Sequence, residues 1–137
     1  MKSRETLIRL RKFQVDEKRR RVAQIESMVA DFDRMAGDLE REITSEQDRA
    51  GIHDPTHFAY PTYAKAAIQR RENLQRSADE LRVQLEDAKL HLADAFEELK
   101  KVELLDERDQ ARERAELDAR EPAELDTIGL LRSHARA

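Results

Sequence analysis

His53 and His57 stand four residues apart with Asp54 beside the first, a spacing at which two imidazoles and a carboxylate could hold a divalent cation. Asp54-Pro55 falls between them and breaks any helix, so the two rings need not share a face. The pattern offers neither a further ligand nor the outer hydrogen bonds that orient ligands, so turn polarity is the expectation, with no metal and no cofactor. The chain has 30 Asp and Glu residues. Acid–base catalysis by any of them would need an enclosing pocket to shift a pKa. There is no G-x-x-x-x-G-K-[ST] loop, so nucleotide hydrolysis by that route is excluded. The chain reads as no enzyme.

Two other groups of residues suit recognition. Arg9, Arg11, Lys12, Lys18, Arg19, Arg20 and Arg21 form a basic run near the N-terminus. Basic-region zippers begin in a similar way. Here Asp16 and Glu17 interrupt the charge, apolar periodicity already runs through Ile8 and Val15, and the net charge is −4, so no nucleic acid is expected. The run fits an acidic partner surface or the chain's own acidic stretch Asp106–Asp126, set against a plain solvated face. Phe58, Tyr60 and Tyr63 form the second group, either closing the end of a helical pair or presenting anchors to a partner. Tyr60 is the structural member, and Phe58 is the stronger contact candidate.

Long helices must position these residues. Ile8, Val15, Val22, Ile25, Val29, Phe32, Ala36, Leu39 and Ile43 fall on a and d positions of one heptad frame. Ala64, Ala67, Leu74, Ala78, Leu81, Leu85, Ala88, Leu92, Ala95, Leu99 and Val102 do the same in a second stretch. The fold class expected is all-α, a long antiparallel two-helix coiled-coil hairpin with a charged C-terminal helical extension. Side-chain volumes propose the register. If paired residue numbers sum to 110, Ile43 meets Ala67, Ala36 meets Leu74, Phe32 meets Ala78, Val29 meets Leu81, Ile25 meets Leu85 and Val22 meets Ala88. Large side chains then face small ones, which fills a seam without voids. Lys18 opposite Leu92, Arg11 opposite Leu99 and Leu39 opposite Arg71 depart from this pattern, with long basic stems lying over apolar neighbours.

Ser3 is a plausible N-cap for the first helix, Gly51 suits its C-terminal end, and Pro61 suits the first position of the second helix. The domain reading is residues 1–105 as the hairpin, turning at about 51–60, and residues 106–137 as a solvated charged helix and flexible tail. Beyond Val102 the seam positions become Asp106, Asp109, Glu113 and Glu116, and Pro122 is expected to end or kink the helix. At 1.5 Å per residue the rod would span roughly 65–70 Å. Charged residues make up 41% and aromatics 4%, too polar for a thick core. There is no Cys, which fits a reducing cytosol. The first residues lack a secretory h-region, and no run reaches the length of a membrane span. A cytoplasmic protein with no direct membrane insertion is expected.

The stretches KSRETLIRLRKFQVDEKRRRVAQIE, DPTHFAYPTYAKAAI and FEELKKVELLDERDQARERAELDAREPAELDTIGL resemble the alphaproteobacterial branch of FliJ-type flagellar export proteins. The turn DPTHFAYPTYAKAA and the LLDERDQARER segment carry most of the resemblance. It implies a non-enzymatic stalk of the flagellar type III export apparatus, serving flagellum biogenesis and motility. The stalk would be peripheral to the cytoplasmic membrane at the flagellar base. The implied partners are a hexameric export ATPase, the cytoplasmic domain of the membrane export gate and, for some members, export chaperones. Under this resemblance the open end, around residues 1–21 and 90–120, enters the ATPase ring, with Arg9, Lys12, Arg19, Arg20 and Arg21 facing acidic groups. The turn, with Phe58 and Tyr63, reaches the gate. The competing readings are a homo-oligomeric coiled-coil scaffold and a chaperone-type adaptor.

Overall fold

The computed structural model describes residues 2–136, with side chains as far as Arg132. Met1 and Ala137, the outer bounds of the two expected segments, lie outside the described residues. Two helices, α1 (Lys2–Ala50) and α2 (Thr62–Arg136), are joined by a loop over residues 51–61, and no strand occurs among the described residues. They pack against each other as the all-α antiparallel hairpin that the heptads predict. Two compact units are distinguished, and both helices contribute to each: Gln14–Ala95, and Met1–Phe13 with Phe96–Ala137.

The unit Gln14–Ala95 holds the buried core. Ile25, Leu81 and Ala88 form one cluster, with Val22, Val29, Phe32 and Leu85 packed against it. Three of the proposed layers, Val22–Ala88, Ile25–Leu85 and Val29–Leu81, thus fall within one cluster. Leu39, Ile43 and Ala67 form a second, with Ile68 and Leu74 beside them. The expected Ile43–Ala67 layer lies there, and Ile68 joins from outside the heptad frame. Small residues let the backbones approach: Ala64 and Ala78 are fully buried. Ion pairs flank the seam, with Arg82 donating to Asp33 at 2.5 Å and Arg71 pairing with Glu40. Arg71 is half-buried and Leu39 buried, so the basic stem occupies an apolar layer while its charge finds a carboxylate at the flank.

In the unit Met1–Phe13 with Phe96–Ala137 no described residue is fully buried; Ile8, Arg11, Leu99 and Val102 are half-buried. Two local expectations change here. Ser3 caps nothing, because α1 already begins at Lys2, whose carbonyl accepts from the Thr6 hydroxyl at 2.7 Å. Pro122 does not end α2, which runs through it to Arg136. Proline removes one backbone donor and crowds the preceding turn, but the helical bonds on either side remain.

Candidate functional site

The loop is braced by its own side chains. Gly51, at φ 69°, ends α1, its N–H bonding to the Gln47 carbonyl at 2.8 Å. Asp54 Oδ1 accepts from both the backbone N–H and the hydroxyl of Thr56, at 2.9 and 2.8 Å. Those two bonds, and the nearby His57, hold the Asp54 carboxyl below the usual carboxylate range. His57 N–H bonds back to the Asp54 carbonyl at 3.0 Å, and Tyr60 N–H to the His57 carbonyl at 3.0 Å. Pro61 stands just ahead of α2, and its carbonyl accepts from Lys65 at 3.1 Å, so it caps the helix instead of opening it.

On this frame the aromatics divide by role. Tyr60 is buried, and its hydroxyl accepts from Gln47 Nε2 at 2.8 Å, closing the end of the seam. The Tyr63 hydroxyl donates to Glu42 at 2.6 Å, which raises its pKa and ties α2 to α1. Phe58 is 96% exposed, stacked on His57 with ring centroids 4.7 Å apart. The imidazoles take separate duties. His53 Nε2 lies 3.1 Å from Asp48 Oδ1, and His57 Nδ1 accepts from the Ala59 N–H at 3.0 Å. No group of three or more potential ligands placed to hold a metal occurs among the described residues.

The expected cations are exposed and fall in both units. Arg19, Arg20 and Arg21 belong to the unit Gln14–Ala95. Arg19 lies 3.9 Å from Asp16, and Arg21 donates to Gln24 at 3.3 Å. Arg21 also lines a groove with Glu17, Lys18 and Ile25 of α1 and Gln84, Asp87, Ala88 and His91 of α2. The α2 side of that groove goes unnoticed in the sequence. Its only signal is the Lys18–Leu92 layer, where a lysine interrupts the apolar seam. Ala50 lies 29 residues beyond Arg21, about 45 Å of helix, so Phe58 and this group serve different ends of the unit. Arg9 and Lys12 fall in the other unit, lining a shallow groove with Glu5 and Ile8.

That unit also holds a constellation that sequence reading misses. Arg4, with 16% of its side chain exposed, reaches Asp106 and Asp109 at 3.4 Å each and Glu113 at 2.9 Å. Asp106 and Asp109 are half-buried, and every described side chain from Gln110 onward is exposed. The seam does not stop when apolar partners run out. It ends on one guanidinium set among three carboxylates, with a hydrogen bond from Nη2 to Glu113 and ion-pair distances to Asp106 and Asp109.

The family model described as flagellar FliJ protein matches residues 1–137. The chain belongs to the FliJ family. No curated protein and no solved structure matches the chain. Membership makes this hairpin a component of flagellar protein export, a transport process related to type III secretion. No helix among the described residues is long and apolar enough to cross a membrane.

Proposed function

We propose that this FliJ-family hairpin is a non-enzymatic stalk between a hexameric flagellar export ATPase and the cytoplasmic domain of the membrane export gate. The observation that supports it best is the separation of two recognition chemistries along one helical pair. Cations line α1, and a fully exposed phenylalanine projects from a braced loop about 45 Å of helix away from Arg21. Arg9, Lys12, Arg19, Arg20 and Arg21 serve an acidic ring lining, where charge steers encounter and fixes register more than it adds affinity. Phe58 serves the gate as an apolar anchor, at small entropic cost because the loop is already ordered. Tyr63, its hydroxyl tethered to Glu42, serves as a second gate contact from α2. The protein would work in the cytoplasm, peripheral to the membrane at the flagellar base. Export chaperones would be further partners.

The two ends are testable separately. Arg19→Glu/Arg20→Glu/Arg21→Glu should abolish co-elution with the ATPase and spare binding to the purified gate domain. Phe58→Ala should do the reverse. Loss of both contacts in either variant, or of neither, would contradict the division.

A further inference from the structure

α2 continues past the point where α1 covers it. Arg4 engages Asp106, Asp109 and Glu113, and from residue 110 onward every described side chain is exposed. Three exposed apolar residues nevertheless return on one face of the same helix, with two acids between them. Leu117, Glu121, Glu124, Ile128 and Leu131 follow Glu113 at spacings of four, four, three, four and three, so they share one face that continues the face Arg4 holds. Leu131 is 65% exposed, and Arg120, Ala123, Glu124, Thr127 and Ile128 line a shallow groove along this stretch.

We infer that this face, Leu117–Leu131, docks a basic amphipathic helix of a partner protein, laid along α2 where α1 ends. Continuity sets the geometry: α1 already lies on the preceding turns of α2 and presents an arginine to their carboxylates. Charge sets the chemistry. Two acids, Glu121 and Glu124, separate Leu117 from Ile128 and Leu131, so a complementary helix carries Lys or Arg between apolar residues. A second copy of this chain fits poorly. Antiparallel pairing of Leu117 with Ile128 sets Glu121 against Glu124, and pairing Leu117 with Leu131 sets Glu124 against itself. Parallel pairing in register opposes each acid to its own copy. Like charges on a shared seam cost stability in every one of these registers. The inference does not depend on the ATPase or gate contacts proposed above.

The test is a nuclear magnetic resonance titration of the full chain with a synthetic Leu/Lys amphipathic helical peptide of about 18 residues, five helical turns. A scrambled peptide of the same composition serves as control. Shifts confined to residues 114–131 are expected, with affinity falling roughly tenfold or more in Glu121→Lys/Glu124→Lys and in Ile128→Ser. Both variants alter exposed positions only, so the hairpin itself should remain folded. Shifts scattered over other acidic segments, equal binding by the scrambled peptide, or indifference to both variants would overturn the inference. So would the same shifts appearing on raising the protein concentration alone, which would make a second copy the occupant.

Discussion

At the scale of single residues, Ile25 and Arg4 show two ways of holding one helix pair together. Ile25 is the largest fully buried side chain among the described residues, and Ile25→Ala should cost about 2–4 kcal/mol in chemical denaturation, by lost transfer and a residual cavity. Arg4 acts through charge shared with partly exposed carboxylates, so screening keeps its contribution small. Arg4→Gln should cost about 1 kcal/mol and speed amide exchange in residues 3–9 while leaving residues 20–40 protected; added salt should mimic it in the natural chain. Unchanged exchange near the N-terminus would remove Arg4 as a clasp. The Ile25 layer is legible in the sequence because side-chain volume alternates across the seam. Arg4 is not, because a heptad reading searches for apolar partners, and an ion cluster leaves no apolar period. Asp54 adds a pH dependence. Its pKa is lowered in the folded loop by the Thr56 bonds, so its contribution is present above the unfolded carboxylate pKa and fades as pH falls through the lowered value. The protection of the Thr56 amide, relative to its intrinsic exchange rate at each pH, should fall over that acidic window and stay constant between neutrality and mild alkali.

At the scale of elements, the loop and the distal part of α2 are governed by backbone rules. Gly51 adopts a left-handed conformation, and a Cβ there would meet nothing within 4 Å. Gly51→Ala should therefore cost only the backbone preference, about 1 kcal/mol, with no change in the Ile25 cluster. A much larger loss would mean that the loop packs more tightly than its open surroundings indicate. Gly51 and the Asp54-Pro55 turn could be read directly, since each residue type answers a local conformational demand. The exact starts of both helices could not, because cap positions depend on bonds such as Pro61 to Lys65 that leave no unique residue signature. Pro122 is a sharper lesson. A proline rule predicts a break, yet α2 persists, so the surrounding sequence overrides one lost donor. Pro122→Ala should increase helical content by circular dichroism and slow amide exchange in the flanking turns.

At the scale of the whole molecule, both apolar clusters join α1 and α2 of one chain. The chain should sediment as a monomer whose mass is unchanged on dilution, which separates the hairpin from a scaffold in which α1 pairs between chains. The fold was legible from heptads and volumes. The partner surfaces were legible only as residue types, because exposure and pairing decide which cations and aromatics remain available. Tyr60 turned inward and Phe58 outward, though both are aromatics of the same turn. The proposed function has this FliJ-family protein couple to the export ATPase through its α1 cations. The most direct measurement is the hydrolysis rate of the flagellar export ATPase from the same bacterium as this hairpin is titrated in. A saturable change in rate, lost with Arg19→Glu/Arg20→Glu/Arg21→Glu, is the predicted result. A rate indifferent to the hairpin at every concentration, with no co-elution of the two proteins, would contradict it.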